Sequence, residues 1–526
     1  MRPFDANGAF LAAANTNGGN KLRLVAVRGA GVTVFSSILG LAVQIVATVV
    51  LARILTPGDF GVVAMVTTFS LLLMNFGLNG FTEAVIQREV IDHALVSNLF
   101  WINLGIGSFL TLGFAAAGSI LAWFYGDPRV ARVAAGMSLT IIVTSASVQH
   151  LALLKRAMRF SVVSATDLAA RATSVAVSII LGWAGWGYWA LVAGAVAQPI
   201  ATCIGAWSAC RWIPGLPRRA NGTASMVRFA LNIYGRFSVN YFARNMDNLL
   251  VGWRFEAQAL GFYKKAYDLF ALSASLLVSS TTSVAVSALS RLNRDSEQFK
   301  RCLLSALALV AFLGMGLSAE LTLVGKDLIR LLLGAGWEPA GRIFTFFGPG
   351  IGVMLLYGTT GWIHLSIGRP DRWFRWGLVE FLVTGLLFLL GLRWGPAGVA
   401  MAWTASFWIL LLPGLWYATK PIHLGLAPVI GTVWKYLLAA LLAGYTSAVI
   451  LRDFPSSIAV PTAIGAATRL GITSVLLGFL YLGGVILLHQ GLAPINQAVR
   501  LLGEMLPWTR FARPVGSQAL NLTLGK

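Results

Sequence analysis

Apolar runs of about 20 residues follow one another along most of the chain, separated by short stretches rich in Gly, Pro, Asp and Arg. At about 1.5 Å per residue, each run folded as a helix covers a hydrocarbon core of about 30 Å. The pattern predicts about fourteen such spans, over residues 30–51, 60–80, 97–124, 133–153, 164–184, 187–209, 229–252, 259–283, 301–324, 343–366, 374–394, 397–417, 430–451 and 465–489. The predicted fold class is an all-α polytopic membrane protein, and no connection between spans is long enough to hold a folded domain. Residues 1–20 lack the basic start and apolar run of a signal peptide, and residues 1–25 read as a disordered cytoplasmic leader.

Composition agrees with the pattern. Hydrophobic residues are 57% of the 526, charged residues only 11%, and mean hydropathy is +0.76, values foreign to a soluble domain of this length. Net charge is +21, which by itself would suit nucleic acid, so its distribution decides. Basic residues concentrate in the segments on the side of the membrane that holds the N-terminus, including Lys155-Arg156, Arg218-Arg219 and the run from Arg291 to Arg301. This is the positive-inside pattern of a protein lying against anionic lipid. It predicts both termini in the cytoplasm, a membrane-lipid environment and no nucleic-acid partner. Cys203, Cys210 and Cys302 lie in or beside apolar spans without metal or redox spacing and read as small buried hydrophobes. No metal site is expected.

A shift of 200 residues lays Val27-Arg28 over Val227-Arg228 and Asp59-Phe60-Gly61 over Ala259-Leu260-Gly261. Six spans separate the copies, and an even number makes the repeats parallel. The organisation expected is two six-helix lobes plus two C-terminal helices. The N-lobe runs 26–210, a basic cytoplasmic linker 211–228, the C-lobe 229–420, helices thirteen and fourteen 421–490, and a cytoplasmic tail 491–526. The linker is rich in proline, glycine and arginine, a turn-forming composition about which the lobes could rock.

The most informative span is the seventh. Taken at about 100° per residue from Arg236, Asn240 falls at about 40°, Arg244 at about 80° and Asp247 at about 20°. Leu231, Val239, Phe242, Met246, Leu249 and Leu250 occupy the opposite arc. An arginine at the centre of a membrane helix costs about 2.5–3.5 kcal/mol even on the lenient insertion scale, so such groups line water-filled cavities, bundle interiors or substrate paths. This face reads as a wall of a transport cavity; the alternative is an internal Arg244–Asp247 salt bridge at i,i+3. In the repeat register, Ser36 and Gln44 stand where Arg236 and Arg244 stand, so the cationic face belongs to the second half alone.

Several strings resemble the Wzx-type polysaccharide flippases of the multidrug/oligosaccharidyl-lipid/polysaccharide exporter superfamily. They are Arg53-Ile54-Leu55-Thr56-Pro57-Gly58-Asp59-Phe60-Gly61, the stretch Arg244 to Gly252 followed by Leu260-Gly261-Phe262-Tyr263, Ala288 to Leu292, Gly334-Ala335-Gly336-Trp337, Gly368-Arg369-Pro370 and Gly395 to Ala400. The resemblance covers residues 25–490. It departs at Ser287, where relatives carry proline, which touches only a local kink. It implies fourteen helices, two lobes, alternating access, and a polyprenyl-pyrophosphate-linked oligosaccharide as cargo, moved from the inner to the outer leaflet of a bacterial inner membrane. A polysaccharide polymerase and its chain-length machinery are the protein partners implied.

Arginine's five-donor fork suits phosphoryl oxygens, so Arg236 and Arg244 are the candidates for the pyrophosphate. Lys264 and Lys265 are candidates to guide it outward or, equally, interfacial anchors. Asn240 and Asn248 suit sugar hydroxyls, or serve as bundle amides. No cofactor is expected beyond a coupling H⁺ or Na⁺, for which Asp247, Asp167, Asp268 and Glu320 are the candidate carboxylates. Asp247 leads because it shares the arginine arc, whereas Asp167 has Arg171 at i+4 to neutralise it, and Glu380 reads as a helix-packing residue. Rival cargoes are the peptidoglycan lipid precursor, which the same cations fit, and cationic drugs, which a basic cavity disfavours. A membrane-embedded glycan polymerase or ligase needs a positioned acid or base and a sizeable soluble loop, and neither is present.

Overall fold

A computed structural model describes residues 3–5, 8–11, 19–88, 90–218, 223–292, 295–452 and 463–505. Among them the architecture is α-helical, without strands: α1 (Gly19–Ile54), α2 (Pro57–Gln87), α3 (His93–Tyr125), α4 (Arg129–Arg156), α5 (Phe160–Trp183), α6 (Tyr188–Cys210), α7 (Thr223–Arg291), α8 (Ser296–Leu333), α9 (Glu338–Ser366), α10 (Pro370–Gly391), α11 (Gly395–Thr419), α12 (Leu426–Arg452), α13 (Ala463–His489) and α14 (Ala493–Met505). Among the described residues eleven stretches are long and apolar enough to cross a membrane, and one of these, Asp371–Ile422, takes in both α10 and α11. α7 is not among the eleven. Its charged residues include Arg228, Arg244, Asp247, Arg254, Glu256, Lys264, Lys265 and Asp268.

The chain divides into two compact units. Unit 1 comprises Met1–Ala266, Leu332–Ile343 and Gly385–Ala400; unit 2 comprises Tyr267–Leu331, Phe344–Thr384 and Met401–Lys526.

In unit 1 the turns are set by local chemistry. Between α1 and α2, Thr56 and Asp59 form a capping box. The Asp59 amide donates to Thr56 Oγ1 at 3.3 Å, the Thr56 amide donates to Asp59 Oδ2 at 3.0 Å, and Pro57 takes the first helical position, where its missing N–H costs nothing. At the far end of α2, Arg156 Nη1 donates to the carbonyls of Val85 at 2.7 Å, Ile86 at 3.2 Å and Arg88 at 2.5 Å. A cation thereby satisfies helix-terminal carbonyls that have no partner within the helix. Part of the expected disordered leader is folded here: residues 3–5 and 8–11 make a tight turn whose Gly8 carbonyl accepts from the His93 amide at 2.9 Å, with Phe4 against the His93 and Trp212 rings. Two phenylalanines in a short segment give it enough apolar surface to dock.

Residues 211–218 of the expected linker are pinned along the same end. Asn98 clasps Arg218 through both backbone groups, Nδ2 to the carbonyl at 2.5 Å and Oδ1 from the amide at 2.9 Å. Trp101 Nε1 donates to the Gly215 carbonyl at 2.8 Å, and buried His150 Nε2 meets the Trp212 carbonyl at 3.1 Å.

α7 is two helices. Its geometry breaks at Phe255 and Glu256, the latter at φ 68°, ψ 173°. Sixteen residues of straight helix would separate Asp247 from Tyr263 by about 24 Å; instead Tyr263 Oη donates to Asp247 Oδ2 at 2.8 Å, so the second arm folds back along the first. There it meets α2 at backbone distance. A Cβ at Gly61 would overlap the Ala257 carbonyl, and one at Gly261 would overlap the Pro57 carbonyl. Positions 57 and 61 thus meet 257 and 261 reciprocally, as an isologous contact requires, and the repeat seen in the sequence becomes a pseudo-two-fold contact of small residues, four apart in each copy.

Unit 2 packs α8, α9, α11, α12 and α13 around a core that includes Leu303, Met315, Leu356, Leu415, Tyr436 and Tyr481. Arg469 grips both oxygens of Asp327, tying α13 to α8. Deeper along the same two helices, Ser474 Oγ donates to Glu320 Oε1.

Glu256 occupies a backbone region that only glycine enters without strain, at a cost of about 1–3 kcal/mol, and its side chain is exposed. Glu256→Gly should therefore raise the thermal unfolding temperature in detergent, whereas Glu256→Val should lower it; equal shifts for the two would rule out a strained break at this position.

Candidate functional site: the polar face of α7

The first arm of α7 carries the candidate cations and the second arm answers them. The side chains of Arg236 and Asn240 lie outside the described residues. Arg244, two turns on from Arg236, is exposed. Asp247 is 1% exposed, and its carboxylate is committed: Oδ2 accepts from Tyr263 and Oδ1 accepts from the Asn248 amide at 2.8 Å. The Arg244–Asp247 pair that the spacing allows is not formed among the described residues; the acid that would have neutralised Arg244 turns into the hairpin, and the guanidinium stays outside it. Asn248 is also buried, 2% exposed, and its Oδ1 accepts no hydrogen bond among the described residues.

Lys264 follows Tyr263 on the second arm and is half-buried, as is Lys265. The Lys265 ammonium sits 4.1 Å from the centroid of the Phe60 ring, a cation–π contact that draws it toward α2. Asp247, Asn248, Tyr263, Lys264 and Lys265 are thus gathered around one hairpin. Asp167 and Arg171 form the i,i+4 pair at 2.8 Å on an exposed face of α5. Asp268 is half-buried on the second arm beyond unit 1, and Glu320 belongs to unit 2 with Ser474 as its partner.

Sequence reasoning missed the partners more than the charges. Tyr263 is the donor that holds Asp247, sixteen residues away and across a chain reversal that no periodicity announces. In unit 2, Glu380 is more than a packing residue: Tyr357 Oη donates to its Oε2 at 3.0 Å, and Trp376 Nε1 donates to Tyr357 Oη at 2.7 Å. Among the described residues no group of three or more His, Cys, Asp or Glu side chains could hold a metal ion.

Chemically, the hairpin offers a buried carboxylate with two donors and, separately, an exposed guanidinium. The first can bind or release a proton within a cycle; the second can receive a phosphoryl group.

Comparison with known proteins bears on the family and the fold. A family model described as polysaccharide biosynthesis protein matches residues 50–342. The succinoglycan biosynthesis transport protein ExoT of Rhizobium meliloti is 22% identical over 376 residues, covering 72% of this chain and 76% of its own length. The lipopolysaccharide biosynthesis protein WzxC of Escherichia coli is 20% identical over 435 residues, covering 81% and 86%. Among solved structures, the lipid II flippase MurJ in an inward closed conformation superposes with a TM-score of 0.70 at 16% identity, over 88% of this chain and 99% of that one, which shows a shared fold. The family model spans more than half of the chain, and with it this multi-pass membrane protein belongs to the polysaccharide biosynthesis protein family, a family of transporters rather than enzymes.

Proposed function

We propose that the chain moves a polyprenyl-pyrophosphate-linked oligosaccharide repeat unit from the inner to the outer leaflet of the bacterial inner membrane by alternating access, with both termini cytoplasmic. Exopolysaccharide, capsule or O-antigen assembly would consume the product, through a polysaccharide polymerase and its chain-length machinery. The observation that carries the proposal is Arg244, exposed on a membrane helix whose nearest acid in sequence, Asp247, is already bonded to Tyr263. A guanidinium kept in an apolar bundle without that neutralising partner is suited to an anionic ligand. Similarity to a succinoglycan biosynthesis transport protein and a lipopolysaccharide biosynthesis protein points to a glycan as what the anion carries. Arg236, one face with Arg244 by helical spacing, completes the pyrophosphate site in this proposal, with Lys264 and Lys265 on the outward path and Asn240 and Asn248 facing the sugars.

The direct test is reconstitution: purified protein in liposomes, with a labelled polyprenyl-pyrophosphate oligosaccharide whose transbilayer movement is followed. A charge-assisted hydrogen bond contributes about 1.5–3 kcal/mol, so Arg236→Ala and Arg244→Ala should each slow movement by about tenfold to a hundredfold. Wild-type rates in both variants would remove the pyrophosphate assignment, and a wild-type protein that moves only the peptidoglycan precursor would replace the cargo.

For the driving force, the buried Asp247 is the proposed H⁺ or Na⁺ coupling group, ahead of Asp268, Glu320 and the exposed, paired Asp167. Asp247→Asn keeps the volume and leaves an oxygen for Tyr263. It should abolish the acceleration that an imposed proton or sodium gradient gives, while leaving slow, gradient-independent movement; an undiminished gradient response would move the coupling elsewhere.

A further inference from the structure

The capping box between α1 and α2 has a structural cost at Ala52. In a continuing helix the Thr56 amide would bond the Ala52 carbonyl four residues back. That amide is instead held by Asp59 Oδ2 at 3.0 Å, and the Ala52 carbonyl needs another donor. Trp337 supplies it from the short turn between α8 and α9: its Nε1 donates to the Ala52 carbonyl at 2.8 Å. The indole is 2% exposed, and it meets Phe60 edge-on at 5.5 Å and Phe262 edge-on at 5.9 Å between centroids. Phe60 and Phe262 flank Gly61 and Gly261, the pair at which α2 and the second arm of α7 touch backbone to backbone. One side chain therefore closes over a contact that has almost no side chains of its own.

These features make a junction that can part. Gly61 and Gly261 interlock no side chains, so at that point the two helices are held by backbone contact and by the rings that cover it. The Ala52 carbonyl lies at a helix end beside a turn, and the indole N–H is a single donor, so each can exchange its partner for water when the end opens. We propose that Trp337 is the releasable latch of a gate at this end of unit 1: docked on Ala52, Phe60 and Phe262, it holds α2 and the second arm of α7 together, and its undocking opens that end during transport. In the proposed orientation this end faces outward.

The test is thiol labelling of whole cells with a membrane-impermeant maleimide, on a chain whose Cys203, Cys210 and Cys302 are replaced by alanine. The reporter is Ala257→Cys, at the helix contact and 4% exposed. Trp186→Cys, in the exposed α5–α6 turn at the same end, checks orientation, and Ala152→Cys, fully buried at the opposite end, checks general loosening. With Trp337 intact, the reporter should label slowly and Trp186→Cys rapidly. Trp337→Phe, which keeps a ring and removes the donor, should speed reporter labelling about fivefold, the effect of one neutral hydrogen bond on an opening equilibrium. Trp337→Ala should speed it further, with Ala152→Cys unchanged in both. Unchanged reporter labelling in both Trp337 variants overturns the latch, and so does labelling that rises equally at Ala152→Cys, which would make Trp337 a fold residue. Failure of Trp186→Cys to label from outside overturns the outward placement, and the reporter comparison is then read from inverted vesicles.

Discussion

Hydrocarbon supplies no hydrogen bonds, and most of the specific features of this chain answer that constraint. Where a helix ends, its free carbonyls and amides are met from within. Arg156 covers the end of α2, the Thr56–Asp59 box starts it, Trp337 answers the carbonyl which that box leaves unbonded, and Asn98 pairs with the backbone of Arg218 as a neighbouring strand would. Sequence neighbours supply only the capping box. The others come from 68 or more residues away in the chain, so satisfying the backbone also specifies which helices are neighbours.

The same constraint sorts the charges of α7. A carboxylate and a guanidinium three residues apart could have cancelled each other, and the helix would then have been inert. Tyr263 prevents this by taking Asp247 into the hairpin at 2.8 Å, which leaves Arg244 exposed. The chain reversal at Phe255 and Glu256 is what brings a phenol to that acid, so a strained pair of backbone angles stands upstream of the electrostatics. One hairpin thus holds a buried carboxylate and, apart from it, an exposed guanidinium.

Symmetry enters through small residues. Gly61 and Gly261 occupy equivalent places in the two copies of the repeat and each meets the other copy's backbone. Only glycine permits that approach. The cations do not follow the symmetry, since Ser36 and Gln44 stand at the positions equivalent to Arg236 and Arg244. The register that pairs the glycines does not extend to the cations.

What the sequence by itself determined was the class of fold and the location of the unusual charge. Twenty-residue apolar runs have one solution in a bilayer, and helical periodicity alone places Arg236, Asn240, Arg244 and Asp247 on one arc. The repeat register and the family strings were also legible, because both are properties of residue order. Partnership was not. Whether Asp247 bonds Arg244 or Tyr263, whether Glu380 packs or hydrogen-bonds Tyr357, whether the leader and linker hang free or dock, and what Trp337 is for all depend on which groups the folded chain brings within 3 Å. Hydrogen bonds act only at that range, and distances between residues 16, 23 or 285 apart in the chain are decided by turns and helix packing that no local pattern encodes.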